Sequence, residues 1–271
     1  MRGLMRVAAV GMVLSLGVLV EPAAAACPVD SVQSGTVCMD KYEASVWFVP
    51  AGQASLITKI RNGTVTLANL TSAGAVAAGV IQLGFLPNEL EDQGGCPPTG
   101  KGCVNVYAVS IPGVTPAHFI NWFQAAAAAR NSLKRLPTNQ EWQVAALGTP
   151  DPGEADNGST TCNTGNLGPG VVATGSRSNC VSDVGAFDMV GNLSEWVADW
   201  ADLNDPDNCF IYPEDFGGDR SCVGGPGSGI PGAFDRGGGW SNGTVTWSGV
   251  FAVNAGQPFP FSSARGFRCA R

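Results

Sequence analysis

Apolar positions recur at helical spacing in two segments of the chain, each of which begins at a capping signal. The first begins at Thr115 and Pro116, an N-cap followed by proline at the first helical position, and continues through aromatic residues and alanines to about Arg130. The second begins at Thr138, where Thr-Asn-Gln-Glu141 forms a T-x-x-E capping box, and ends before a glycine. The pattern predicts two main helices.

Extended and loop segments surround these helices. Residues 37–49 alternate loosely enough for one or two strands, and residues 265–271 are predicted as a terminal strand. Residues 53–84, rich in Ala, Gly, Val and Thr, are predicted as a hairpin or an elaborated loop. Residues 149–183 and 204–232 are rich in turn-forming residues and contain cysteines, which predicts long loops held by disulfides. This is the pattern of a loop-rich α+β domain.

The first 26 residues have the order of a secretory signal. Arg2 and Arg6 precede an apolar run at residues 7–20, and small residues lead to Ala26. An apolar run of roughly 14 residues is too short for a transmembrane helix, which needs about 20. We therefore expect a signal peptide over residues 1–26, export to the periplasm or outside the cell, and no transmembrane segment.

The charge balance narrows the class of partner. Lys and Arg total 15 and Asp and Glu total 22, so the net charge is −7. Because no basic stripe with interleaved aromatic residues is present to neutralise phosphates, nucleic acid is not expected as a partner. The roughly 245 residues after the predicted signal favour one domain, residues 27–271, with a sizeable core.

Nine cysteines in an exported chain predict a disulfide framework. Local spacing suggests four pairs: Cys27 with Cys38, Cys96 with Cys103, Cys162 with Cys180, and Cys209 with Cys222. Cys269 is then left over. In the alternative, Cys27 carries the lipid of a lipoprotein and Cys38 pairs with Cys269. Sequence alone does not decide the connectivity.

Four segments carry a resemblance to a known family. They are Lys134-Arg-Leu-Pro-Thr-Asn-Gln-Glu-Trp142, Phe187-Asp-Met-Val-Gly-Asn-Leu-Ser-Glu-Trp196 with Asp199-Trp200, Arg236-Gly-Gly-Gly-Trp240, and Gly266-Phe-Arg-Cys-Ala270. In this order, and with Asp40-Lys-Tyr-Glu43 upstream, they resemble the formylglycine-generating enzymes, the sulfatase-modifying factor domain family. The resemblance implies an α+β fold, that family's variant of the C-type lectin fold, with two main helices and little other regular structure.

The resemblance also implies what this chain lacks. The family's oxidase holds copper with two cysteines shortly after the segment that ends here at Trp240, and copper(I) needs such soft thiolate ligands. The matching positions here are Asn242 and Trp247, and the family's serine in this motif is Gly239. We therefore expect no copper and no catalytic residues of the family type.

Two further expectations come from the resemblance. The family often bonds the cysteine of Gly-Phe-Arg-Cys to one on the preceding helix, where this chain has Ala129, so Cys269 is expected to be a buried free thiol. The family's calcium ligands transfer to the side chains of Asp188 and Glu195 and the carbonyls of Gly191 and Leu193. Oxygen ligands of this kind suit a structural calcium ion. The alternative is that both carboxylates only brace the turn.

The remaining candidates are single residues. His118 is the only histidine, which excludes sites built on several histidines, and it is expected at the surface in the first helical turn. Four tryptophans could line a ligand groove, although core packing is favoured; they are Trp122, Trp142, Trp196 and Trp200. Arg236 and Arg268 either anchor ligand carboxylates or pair with Asp183 or Asp235.

Together these observations predict a non-catalytic binding or structural module. Its loops after Trp240 and over residues 204–232 would contact an extracellular or periplasmic protein or glycan. The alternative is an enzyme of the formylglycine-generating and non-heme iron superfamily with unassigned chemistry. A third hypothesis is an accessory subunit that is exported with a partner enzyme.

Overall fold

The computed structural model describes residues 26–168, 170–202, 209–224, 230–242 and 247–271. The predicted signal peptide lies outside these ranges except for Ala26, and so do parts of the two predicted contact loops. Within the described residues, no helix is long and apolar enough to span a bilayer.

Short helices and strands alternate along the chain. The helices are α1 (Ala54–Arg61), α2 (Leu67–Leu70), α3 (Ala73–Ala77), α4 (Glu89–Asp92), α5 (Trp122–Asn131) and α6 (Asn139–Ala146), with single 3₁₀ turns at Gly153–Ala155 and Glu214–Phe216. The strands are β1 (Ser31–Ser34), β2 (Val37–Asp40), β3 (Ser45–Phe48), β4 (Ile81–Leu83), β5 (Val106–Val109), β6 (Ser194–Ala201), β7 (Cys209–Ile211), β8 (Arg220–Cys222), β9 (Gly232–Gly237), β10 (Gly249–Gly256) and β11 (Arg265–Phe267).

The strands form three sheets. β1 and β2 are an antiparallel pair, and β4-β3-β5 is an antiparallel three-stranded sheet. The largest sheet has the order β11-β6-β9-β10-β8-β7. In it β11 is parallel to β6 and β8 is parallel to β10, whereas the other neighbours are antiparallel. This sheet carries three of the four family-like segments.

The second predicted helix is confirmed and the first begins later than predicted. At α6, Thr138 Oγ1 accepts from the Glu141 amide at 3.1 Å, and the Glu141 carboxylate accepts from the Thr138 amide at 2.8 Å. Helix α5 begins at Trp122, because Asn121 caps it by accepting from the Gln124 amide at 3.0 Å. Residues 115–120 are non-helical, so His118 precedes the helix instead of lying in its first turn.

The prediction of a hairpin or an elaborated loop over residues 53–84 is wrong. The segment forms α1, α2, α3 and β4. Thr66 caps α2 through a capping box with Asn69, and Ser72 caps α3 by accepting from the Ala75 amide. These helices are too short for a periodic pattern to appear in the sequence. The strands predicted over residues 37–49 are confirmed as β2 and β3, whereas only Arg265–Phe267 of the last segment is a strand.

All four predicted disulfide pairs are present in the structure, and Cys269 is a buried free thiol. Cys27 is bonded to Cys38, so the alternative pairing of Cys38 with Cys269 does not form. Ala129 lies in the same buried cluster as Cys269. This agrees with the expected disulfide partner having been lost at that position.

The two ends of the described chain lie side by side. The Cys38 amide donates to the Arg271 carbonyl at 3.0 Å, and the Asp40 amide donates to the Cys269 carbonyl at 2.8 Å. Ala270 also forms a bridge with Arg135, just before α6. The last residues therefore close the core between the N-terminal hairpin and the segment that leads into α6.

Candidate functional site

The family-like segments meet on the central strands of the large sheet. β6 carries Glu195, and its two neighbours place Gly266 of β11 and Arg236 of β9 directly opposite that residue. Trp142 of α6 packs beneath them and is fully buried. Segments that are far apart in the sequence therefore form one continuous structure.

Arg268 is the centre of the buried charges. Its Nε and Nη2 atoms donate to both oxygens of Glu195 at 2.6–2.9 Å, and neither side chain is exposed. The Trp142 indole donates to the same carboxylate at 2.6 Å. Burial acts to lower the pKa of Arg268, but the Glu195 carboxylate outweighs this effect and the pKa is raised. Arg268 therefore pairs with Glu195, and the predicted pairing with Asp183 or Asp235 is wrong.

Two more buried acids lie around this pair. Glu43 accepts from the Leu193 amide at 3.0 Å and from the side chain of Asn192. Burial, and then the nearby carboxylates of Asp188 and Glu195, raise the pKa of Glu43 well above its usual value. Burial also raises the pKa of Asp188 to about 6. Glu43 was not among the predicted site residues, although it ends the upstream family-like segment.

Both carboxylates of the predicted calcium site already accept hydrogen bonds within the protein. Both oxygens of Glu195 already accept hydrogen bonds from Arg268, and one also accepts from Trp142. Asp188 accepts from the Gly175 amide at 2.7 Å. Among the described residues, no group of three or more His, Cys, Asp or Glu side chains could hold a metal. Calcium binding by Asp188, Glu195 and the carbonyls of Gly191 and Leu193 stays a prediction.

Arg236 is a second buried arginine, and its environment is different. It is 2 % exposed, and its acceptors among the described residues are all neutral: Asn139 Oδ1 at 2.6 Å, the Val250 carbonyl at 3.0 Å, and the side-chain oxygen of Gln143. Its guanidinium lies 4.6 Å from the centre of the Trp142 ring. Its Nε has no partner among the described residues. Burial lowers the pKa of Arg236 to about 10.

A cleft opens on the large sheet at the positions that the motifs predict to correspond to the family's copper ligands. It has a volume of about 240 Å³ and is lined by polar side chains from β6, β8, β9, β10 and the segment before β11. Asn242 and Trp247 both line it. The structure therefore brings these two predicted positions together in one site.

Both positions are already engaged within the protein. Asn242 Oδ1 accepts from the Gly239 amide at 2.6 Å. The Trp247 ring is covered by the guanidinium of Arg220 at 4.1 Å. A Cβ atom at Gly239 would lie 2.8 Å from the Ala264 carbonyl oxygen, so the family's serine does not fit there without a shift. The close backbone approach explains glycine at this position.

An ion pair and several hydroxyl groups complete the cleft. Arg265 pairs with Asp235 at 3.1 Å and lies over the Trp196 ring at 4.6 Å. Asn254 donates to the same aspartate at 3.0 Å. The hydroxyl-bearing residues of the lining are Ser194, Ser241 and Ser262. Neither Arg220 nor Arg265 was predicted as a site residue, although Arg265 directly precedes a family-like segment.

The remaining candidate residues lie elsewhere. Cys269 is buried beside Asp40, and burial raises the pKa of its thiol well above the usual value. His118 is half-buried, burial lowers its pKa, and it does not line the cleft. Trp142 and Trp196 are fully buried, as core packing predicted, whereas Trp122 and Trp200 form an edge-to-face pair at 5.0 Å near the surface.

Residues 31–271 match the family described as the sulfatase-modifying factor enzyme 1-like domain. The chain belongs to this family, and its fold is the α+β variant of the C-type lectin fold that the motifs predicted. No curated protein matches the sequence.

Several solved structures are similar to this chain. CarF is 16% identical over 87% of this chain and 85% of its own, with a TM-score of 0.42. Treponema denticola variable protein 1 is 24% identical over 58% of this chain and 71% of its own, with a TM-score of 0.40. The Major Tropism Determinant I1 variant is 21% identical over 56% of this chain, with a TM-score of 0.38, and this chain spans only 37% of its length.

Proposed function

We propose that this protein is an exported, non-catalytic binding module whose ligand occupies the cleft on the large sheet. The observation that carries the proposal is the pairing of Asn242 and Trp247 in that cleft. The site has kept its concave shape and lost the thiolate ligands. A polar cavity on a rigid sheet can bind a ligand without any chemistry of its own.

The donor chemistry supports the loss of catalysis. An amide oxygen has little affinity for copper(I), and an indole offers no lone pair to a metal. Among the described residues, Cys269 is the only free thiol, and it does not line the cleft. A buried thiol with a raised pKa is also inert.

Export is supported by the disulfides and by the N-terminal pattern. Four disulfides in one chain are typical of an oxidising compartment. The sulfur of Cys27 is bonded to that of Cys38, and a lipid anchor would need the same sulfur atom. We therefore favour a periplasmic or extracellular protein without a lipid on Cys27.

The test is an assay for formylglycine. Purified mature protein is incubated with a Cys-x-Pro-x-Arg peptide, copper, reductant and oxygen, and the peptide is analysed by mass. We expect no aldehyde above the metal-only control. Turnover that disappears when Asn242 or Trp247 is replaced would overturn the proposal.

A double variant serves as the matched control. Asn242→Cys with Trp247→Cys restores two thiols at the positions that correspond to the copper ligands. We expect this variant to bind copper(I) in a competition titration, whereas the natural protein does not. Equal copper binding by both proteins would show that other residues supply the ligands.

A further inference from the structure

We infer that the cleft binds the carboxylate of an acidic sugar and that Arg220 is its anchor. The inference rests on the proposed function, because it names the class of ligand for the same cleft. It depends on the charge of the lining, the orientation of Arg220 and the character of the remaining side chains.

Among the described residues of the lining, one positive charge has no carboxylate partner. Arg265 and Asp235 form an ion pair at 3.1 Å and cancel each other. Among the described residues, no carboxylate lies within 4 Å of Arg220 in a salt bridge. The chain as a whole has a net charge of −7, which disfavours the approach of anions in general. An anion would therefore be attracted by Arg220 in this cleft and not by the overall charge of the protein.

The guanidinium of Arg220 is held in place by its neighbours. It lies 4.1 Å from the centre of the Trp247 ring. Stacking on an indole occupies the face of a guanidinium and leaves its N–H edge free to form two parallel hydrogen bonds. The backbone of β8 pairs with β10 through Ser221 and Val253, and Cys222 is bonded to Cys209. The ligand therefore does not have to order this side chain.

The charge of the site favours a carboxylate over a phosphate. One unpaired guanidinium balances one negative charge, and a guanidinium matches the planar carboxylate in a two-pronged contact. A phosphate monoester carries about −1.5 to −2 at pH 7, which one arginine leaves partly unbalanced.

The rest of the lining is suited to a sugar ring. Asn242 keeps its NH₂ group after its oxygen accepts from Gly239, and Asn254 keeps its oxygen after its NH₂ group donates to Asp235. Three serine hydroxyls add groups that both donate and accept. The volume of about 240 Å³ is below the range of about 300–1,000 Å³ that is usual for drug-sized ligands, which favours a single ring.

The test compares two glycosides that differ only in the carboxylate. Methyl β-glucuronide and methyl β-glucoside are titrated calorimetrically into the mature protein, and the NMR signal of the Trp247 indole locates the site. We expect the glucuronide to bind about tenfold or more tightly than the glucoside, because a charge-assisted pair of hydrogen bonds is lost with the carboxylate. Added salt should narrow the difference.

Variants assign the effect to Arg220. Arg220→Gln should abolish the preference for the glucuronide, and Arg220→Lys should retain part of it because the charge remains but the two-pronged contact is lost. Arg130→Gln, on the exposed side of α5, removes a positive charge away from the cleft and should change nothing. Circular dichroism checks that each variant is folded.

The other outcomes overturn the inference in distinguishable ways. Equal binding of both glycosides at Trp247 would show that the cleft binds a sugar but does not recognise its carboxylate. Binding of N-acetylalanine but not of the glucuronide would point to the carboxyl end of a peptide. Binding of neither glycoside would reject the sugar, while the formylglycine assay would still decide the non-catalytic proposal separately.

Discussion

Two arginines from family-like segments lie buried on the same sheet, and their surroundings are opposite. Arg268 donates to both oxygens of a buried glutamate, whereas Arg236 donates only to neutral oxygens and leaves its Nε without a partner among the described residues. The pKa of Arg268 is raised and that of Arg236 is lowered to about 10. The charge of Arg268 is therefore balanced by a carboxylate, whereas that of Arg236 has no carboxylate partner among the described residues.

The contrast extends to the neighbours of each arginine. On the side of Arg268, Lys134 pairs with Asp30 at 2.7 Å and with Asp40 at 2.6 Å. On the side of Arg236, three further buried polar atoms lack partners in the described part of the chain; they are Gln143 Nε2, Asp219 Oδ1 and Ser248 Oγ. We call the first set, Arg268 with Glu195, Lys134, Asp30 and Asp40, the paired core. The second set, Arg236 with Gln143, Asp219 and Ser248, is the unpaired group.

The two sets of residues should differ in how much a substitution destabilises the fold. Removing one partner of a buried pair leaves an uncompensated charge, which is costly. Removing Arg236 leaves no ion-pair partner behind, because the groups that accept its hydrogen bonds are neutral. The paired core therefore holds the fold together, and the strands near the cleft can vary at lower cost.

The largest effect is expected from breaking the central pair. Arg268→Met should lower the free energy of unfolding by about 3–5 kcal/mol, because Glu195 stays buried without its cation. Urea unfolding followed by tryptophan fluorescence measures the change. Adding Glu195→Gln to this variant should recover part of the loss. Exposed salt bridges usually contribute less than about 1 kcal/mol to stability. A loss of that size in Arg268→Met would therefore contradict the strong effect expected of a buried pair.

Arg236→Met should be less costly. Three hydrogen bonds to neutral acceptors are lost, but the burial of an uncompensated guanidinium is relieved, so we expect a loss of about 1–2 kcal/mol. The same urea experiment compares it directly with Arg268→Met. Equal losses for the two variants would remove the distinction between the paired core and the unpaired group.

The unpaired group should also impose a dependence on pH. Burial, followed by the neighbouring carboxylate of Asp151, raises the pKa of Asp219 to about 7, well above the usual value for an aspartate. The unfolded chain loses this proton near pH 4 while the folded protein keeps it to about pH 7, so stability falls as pH rises through this window.

Thermal midpoints between pH 4 and pH 8 test this dependence. Asp219→Asn cannot ionise and should flatten the fall, whereas Asp92→Asn on the exposed helix α4 should leave the slope as it is. Asp188, with a pKa raised to about 6, contributes in the same direction, so some slope should remain in the Asp219 variant. An unchanged slope in Asp219→Asn would contradict the assignment.

The smallest effect is expected from calcium. Since Arg268 and Trp142 already donate hydrogen bonds to Glu195, we expect calcium to raise the thermal midpoint only slightly above its value with chelator. A calcium site would instead add about 2.7 kcal/mol at a hundredfold excess over Kd. A gain of that size that is lost in Asp188→Ala would support the calcium prediction and show that the ion competes with Arg268 for Glu195.

Local signals in the sequence were reliable where their partners are also local. The capping box at Thr138 predicted the start of α6, and the four close cysteine pairs are all bonded. Thr115 and Pro116 gave a wrong helix start, because the Ala117 amide pairs with the distant Ala44 carbonyl at 2.9 Å and holds this segment extended. A long-range contact there overrides a local preference.

The site was predictable only through its motif positions. The resemblance placed Asn242 and Trp247 together, but the sequence did not predict that Arg220 would lie over Trp247. Arg220 belongs to a three-residue strand whose place in the sheet depends on one parallel pairing with β10. The partner of Arg268 is 73 residues away in the sequence, beyond the range of any periodic pattern.

The closure of the core by residues 265–271 has a consequence for the order of folding. Arg268 donates to the Asp40 carbonyl across a separation of 228 residues and pairs with Glu195 across 73 residues, so both partners are synthesised long before it. Until it arrives, Glu195 lacks Arg268, and a partly synthesised chain cannot form its native interior. The growing chain should therefore stay incompletely folded and accessible to chaperones and proteases until residues 265–271 are available, after which closure is cooperative.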